Sequence, residues 1–227
     1  MITHLAPVFE GSRFTRVAFA ETLATFYFGP ARVDDSLGRY IDRAYRDMNR
    51  TLRLGALDDA VRRALRAEAG ETLRDAIVRL AQGVELTTCA FDAWHRQACE
   101  SLKSVYAVRG VAFTHGQAQK WVNMTLKYVF VALALDIVGA PQQLRAFYAC
   151  AHLPIDSIVL EGLRKQSFDG SLPDVAWSRH DDYDAYLAFQ RAIRERFGCG
   201  LDAELMLWRP QYETWANDAD TLGRTDA

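Results

Sequence analysis

The chain has 227 residues, half of them apolar and a quarter charged, with a formal net charge of −2. That balance belongs to a globular protein with a packed core, built as one large domain or two small lobes, and it excludes disordered and fibrous classes. It also denies the chain the global basicity of a small nucleic-acid binder, so any such role must rest on a local patch.

Residues 1–34 fit neither a clean 3.6 nor a clean 2.0 period, and a strand near the N-terminus stays open beside a helix from about Arg16; Gly29-Pro30 closes the segment. From Asp34 the spacing of Leu37, Tyr40, Ile41, Ala44, Tyr45, Met48 and Leu52 predicts a helix ending before Gly55. Leu57–Ala69 and Glu71–Gln82 read as two shorter helices punctuated by Gly70 and Gly83, with Arg62, Arg63 and Arg66 as a solvated face. Thr88–Val108 carries the stripe Phe91, Trp94, Ala98, Cys99, Leu102, Val105 and Tyr106. A short hairpin, Arg109–Gly116, leads into a very apolar helix at roughly 118–138, which Gly139-Ala140-Pro141 terminates. Helices are expected over Gln142–Cys150, Ser157–Lys165, Tyr183–Phe197 and Leu201–Trp208. The result is an all-α fold over residues 1–216, one helical domain or two lobes with a cleft between them, followed by a frayed tail over 217–227.

The longest apolar run, Tyr128–Ile137, is about half of the roughly 18–20 residues that span a bilayer, and it contains Asp136. The opening MITHLAPVFEGSRF has no secretory pattern, so a cytoplasmic protein without a membrane partner is expected. Cys89, Cys99, Cys150 and Cys199 form no CxxC pair, which argues against a zinc ribbon, a clustered iron–sulfur site or a disulfide scaffold. No metal and no cofactor is expected.

Between Ser101 and Leu135 there is no acid, while Lys103, Arg109, Lys120 and Lys127 fall there with His115 among them. This span of local charge +4 is either a phosphate-facing patch or a consequence of burial. On the central helix, a 100° advance per residue places Asn123 and Lys127 within about 60° and about 20° of Lys120, so the three share one wedge. They either snorkel at the edge of the core or form the wall of a cleft. In a cleft, desolvation and a second lysine would lower the pKa of Lys120, which makes an amine nucleophilic near neutral pH. Asp156 stands at the start of the helix that follows His152-Leu153-Pro154-Ile155, where helix capping alone would account for it.

The segment HGQAQKWVNMTLKYVF followed by LPIDSIVL resembles the helix–hairpin–helix DNA glycosylase superfamily. The pattern is most similar to the archaeal 8-oxoguanine glycosylase branch, in which the hairpin is degenerate and the lysine opens an apolar helix bearing another lysine seven residues on. The resemblance covers about residues 105–165 and implies a two-lobed glycosylase-like fold with a degenerate helix–hairpin–helix. It implies a nucleophilic lysine at Lys120, a catalytic aspartate at Asp156, and glycosylase with AP lyase activity on DNA that carries a damaged or modified base. Asn123, Lys127, His115, Gly116, Arg109 and His152 are then the candidates for contact with substrate or DNA. The chain departs from the pattern in lacking a Leu-Pro-Gly-Val-Gly hairpin and in its longer lysine-to-aspartate interval of 36 residues. The four-cysteine cluster of some relatives is absent, so no iron–sulfur group is implied. Aromatic residues should line the base pocket, and Trp94, Trp121, Tyr128, Phe147, Trp177 and Trp208 are the candidates. Two other readings stand beside this one: a helical DNA-binding or interaction protein without chemistry, and a metal-dependent hydrolase using His95, Cys99, His152 or the acids Asp181, Asp182 and Asp184.

Overall fold

The most apolar helix begins earlier than its apolar run suggests, because its start is set by a polar device. Thr114 Oγ1 accepts the amide of Gln117 at 3.2 Å, and Gln117 Oε1 accepts the amide of Thr114 at 3.1 Å, a capping box that satisfies two free donors at once. The expected hairpin is correspondingly shorter: a turn at Val108–Gly110, closed by Gly110 at φ +67°, and an extended link over 111–114. His115 and Gly116, read as hairpin, lie in the first turn of the helix.

The computed structural model describes residues 16–28, 37–135, 141–168, 170 and 175–223. In chain order its helices are α1 (Arg16–Phe28), α2 (Leu37–Met48), α3 (Asp59–Gly83), α4 (Thr88–Ala107), α5 (His115–Ala134), α6 (Ser157–Lys165), α7 (Tyr183–Phe197) and α8 (Gly200–Gly223). Shorter 3-10 segments occupy Asn49–Thr51, Gln142–Cys150 and Trp177–Arg179, the second of them in place of the expected α-helix. Among the described residues there is no strand, and the fold is all-α. The candidate N-terminal strand before Arg16 and the helix terminator Gly139-Ala140 lie outside the described residues. No described helix is long and apolar enough to cross a membrane.

Two boundaries differ from the sequence reading for physical reasons. The segments on either side of Gly70 form one helix, α3, started by Asp58, whose carboxylate accepts the Val61 amide at 2.8 Å. A helical glycine costs about 1 kcal/mol relative to alanine. The buried stripe Leu65, Ala69, Leu73, Ala76, Ile77 and Leu80 runs straight through that position against α2 and α4, so packing outweighs the local preference. Helix α8 likewise passes Trp208 and contains Pro210, reaching Gly223 through part of the segment read as a tail.

Every residue of α5 from His115 to Leu133 is buried. It packs against α1, α2, α4 and two of the 3-10 segments, which makes it the axis of the molecule. Trp121 is fully buried, donates its indole N–H to the carbonyl of Ile41 at 3.0 Å and lies against Tyr45, with ring centroids 5.0 Å apart. Burial of a side chain this large contributes about 3 kcal/mol, and its one polar atom is satisfied.

Candidate active site

Lys120 projects from the second turn of α5 and Asp156 caps the start of α6, 36 residues later. Their side chains meet: Lys120 Nζ donates to Asp156 Oδ2 at 2.7 Å, and Asp156 Oδ1 accepts the Val159 amide at 2.9 Å. Capping therefore uses one carboxylate oxygen and the lysine the other. Both residues line a cavity of about 670 Å³, a size suited to a small organic ligand.

The cavity has four walls. Lys120 and Met124 of α5 form one, and Asp156, Ser157 and Ile158 at the head of α6 form the next. Phe26 and Tyr27 of α1 also line it, with Arg43, Arg46 and Asp47 of α2 and Arg50 and Thr51 of the 3-10 segment that follows. Trp177, Glu204 and Trp208 complete the lining. Of the six aromatics considered from sequence, Trp177 and Trp208 face the cavity, whereas Trp121 and Tyr128 are fully buried in the core and Trp94 and Phe147 nearly so.

Lys127 reaches this region indirectly. It is buried, donates to Glu204 Oε1 at 2.5 Å and to the Tyr27 hydroxyl at 2.9 Å. Burial pulls its ammonium below the ordinary lysine range, against the opposing pull of Glu204, and Lys120 adds a like charge. Burial also raises the Glu204 carboxyl, while Lys127 draws it down. Glu204 lies on the cavity wall, and its second oxygen, Oε2, is buried without a hydrogen-bond partner among the described residues. An unmet acceptor of this kind costs about 1–3 kcal/mol until something supplies a donor.

Asn123 shares the wedge in sequence and yet turns elsewhere. Its carbonyl faces His95 Nε2 at 3.0 Å, and its amide donates to Gln119 Oε1 at 3.0 Å and the Tyr186 hydroxyl at 2.9 Å. His152 belongs to the same buried cluster, between Tyr186 Oη at 2.9 Å and Asp92 Oδ1 at 2.8 Å, and Arg194 grips both oxygens of Asp92 at 3.0 and 2.9 Å. Burial pushes both His95 and His152 below the ordinary histidine range, so they sit neutral at pH 7. Gln119 also holds the backbone of Ile155 through its N–H and its C=O, both at 3.2 Å, and Gln190 clamps Leu153 in the same way. This cluster thereby fixes the segment that delivers Asp156.

The remaining candidates lie apart from the cavity. His115 is held by Glu100 at 2.7 Å and by Asp181, which also pairs with Lys103 at 2.7 Å. The Gly116 amide donates to the His180 carbonyl at 2.8 Å, and a Cβ at Gly116 would stand 1.7 Å from the Trp177 carbonyl oxygen. That glycine serves close backbone packing, and its amide is already used. Arg109 is exposed in the turn after α4. Among the described residues no three His, Cys, Asp or Glu side chains gather to hold a metal ion. Asp182 caps α7 by accepting the Ala185 amide at 3.0 Å, and Asp184 pairs with Arg96.

Sequence reasoning missed Arg43, Arg46, Arg50 and Glu204. Arg43 and Arg46 sit on the polar face of α2 and Arg50 follows in the 3-10 segment after it, a spacing of i, i+3 and i+7 indistinguishable from a solvated face. Glu204 had a usable signal, an acid with Trp208 one turn further on, among Leu201, Leu205 and Leu207. The chain matches no family model, no curated protein and no solved structure.

Proposed function

We propose that the chain is a DNA glycosylase with AP lyase activity, acting in the cytoplasm on DNA that carries a damaged or modified base. The observation that carries this reading is the Lys120–Asp156 contact of 2.7 Å on the wall of a cavity flanked by tryptophans. The α4–turn–α5 unit then corresponds to a degenerate helix–hairpin–helix within a two-lobed glycosylase-like fold.

The target nucleotide must leave the stack, which costs a few kcal/mol and favours a base already weakly paired. In the cavity, Trp177 and Trp208 offer stacking surfaces for the extruded base. Lys120 passes a proton to Asp156 Oδ2, and the freed amine lone pair attacks C1′. The C1′–N bond breaks, its electrons leave with the base, and Asp156 Oδ2 hands its proton on to the departing base. The regenerated Asp156 carboxylate stabilises the positive charge that develops on the sugar. Opening of the sugar ring leaves O4′ as a hydroxyl and C1′ as a protonated imine of Lys120. Loss of a C2′ proton then expels the 3′ phosphate, which is the lyase step.

Borohydride reduction should trap a covalent complex between the protein and abasic or lesion-containing DNA, and Lys120→Gln should abolish it. A protein that binds DNA with strong salt dependence, cannot be trapped, and retains that binding in Lys120→Gln and Asp156→Asn is a recognition module without chemistry.

A further inference from the structure

Arg43, Arg46 and Arg50 line the same cavity as Lys120 and Asp156, and they are not equivalent. Arg43 is committed: Nη1 pairs with Asp47 at 2.5 Å and Nε donates to the Tyr27 carbonyl at 2.9 Å. Arg46 and Arg50 are exposed, and neither side chain makes an ion pair or hydrogen bond among the described residues. No acid of the cavity is left to neutralise them. Asp47 serves Arg43 and Tyr128, Asp156 serves Lys120 and the Val159 amide, and Glu204 serves Lys127. Two positive charges therefore stand uncompensated at the rim of a cavity whose other ionic groups are paired.

We propose that Arg46 and Arg50 bind two neighbouring phosphodiesters of the DNA strand that carries the flipped nucleotide, which makes the end of α2 and the 3-10 segment after it the phosphate ledge of the cleft. The inference rests on the reading of the cleft as a DNA site. A guanidinium presents a planar fork that matches phosphate oxygens in pairs. Arg46 stands in the last turn of α2 and Arg50 four residues on, in the 3-10 segment that continues it, so both belong to one stretch of the cavity lining and can serve neighbouring phosphates of one strand. The ledge takes over the role that the resemblance gives to the hairpin, where the Gly116 amide is occupied and Arg109 stands outside the cavity.

The test measures the affinity of the full chain for a duplex containing a tetrahydrofuran abasic analogue, over a salt series, so that binding is read without chemistry. Each phosphate contact contributes about 0.9 to the slope of log K against log salt. Arg46→Gln and Arg50→Gln should each flatten that slope by about one and the double variant by about two, for any base at the target position. Arg63→Gln, an exposed arginine of α3 away from the cavity, should leave it at the wild-type value. A double variant with the wild-type slope overturns the ledge, whether or not the protein can be trapped by borohydride. A flattened slope in a protein that cannot be trapped supports the ledge and overturns the amine chemistry alone. Absence of duplex binding by the wild type overturns the ledge together with the DNA reading.

Discussion

Helix α5 feeds two polar regions of opposite character. Towards α4 and α7, Asn123 enters the cluster of His95, His152, Asp92, Arg194, Tyr183 and Tyr186, where each side chain is held by its neighbours. Towards α1, α2 and α8, Lys120 lines a cavity that it shares with Glu204, which holds Lys127, and with Arg46 and Arg50; among the described residues Glu204 Oε2 lacks a partner and both arginines carry unpaired charge. Three residues separate Lys120 from Asn123, and four separate Asn123 from Lys127. A buried polar group is therefore not by itself the mark of a site. What distinguishes the cavity is the valence left unmet, whereas the closed cluster specifies the core and positions the chain before Asp156.

The comparison can be broken most severely at Asp92. Asp92→Ala leaves Arg194 and His152 without their acceptor and should cost about 3–5 kcal/mol in urea unfolding. Trapping should persist under conditions where the variant stays folded; loss of trapping from a fully folded variant would show that the two regions are one site. Gln119→Ala frees the buried backbone groups of Ile155 and should cost about 1–3 kcal/mol. Because Ile155 precedes Asp156, it should also slow excision, an effect that substitutions at the exposed Arg109 should not produce.

Glu204→Gln tests the cavity side alone. Glutamine keeps a carbonyl on Lys127 but removes the charge beside a buried ammonium, which should cost about 1–3 kcal/mol in urea unfolding. Trapping on abasic DNA should be retained in the folded variant; its loss there would make Glu204 part of the reacting site.

The smallest expected effect is on pH. His95 and His152 have folded-state pKa values below the unfolded value of about 6.5, so the unfolded chain binds more protons as pH falls through that value. Stability is then fully present above about pH 6.5 and declines below it. Asp92, also held low in the fold by His152 and Arg194, extends the decline below about pH 4. His152→Asn should flatten the upper part of the decline, read from unfolding midpoints at pH 5 and 7.5.

Elements whose period and caps agree were legible from sequence. The stripe of α2, the span of α6 with Asp156 at its cap, and α7 behind Asp182 all follow their residue patterns. The join through Gly70 was not, because tertiary contacts decided against local preference, and neither was the continuation of α8 through Pro210. For the site, the apolar surroundings of Lys120 and the helix start at Asp156 were visible, and the fold brings the two together. Periodicity says which side chains leave the core, and it is silent on what stands across a gap from them. That is why nothing in the sequence singled out Arg46 and Arg50, and why Asn123, on the same wedge as Lys120, was grouped with it although the angle between them lets Asn123 enter a different neighbourhood.

The most direct test of the central claim is the chemical identity of the residue joined to DNA. After borohydride reduction on an abasic duplex, peptide mass mapping should place the sugar adduct on Lys120, with none formed by Lys120→Gln and with Lys127→Gln still trapped where it folds. An adduct on another amine, or one that persists undiminished in Lys120→Gln, would contradict the account.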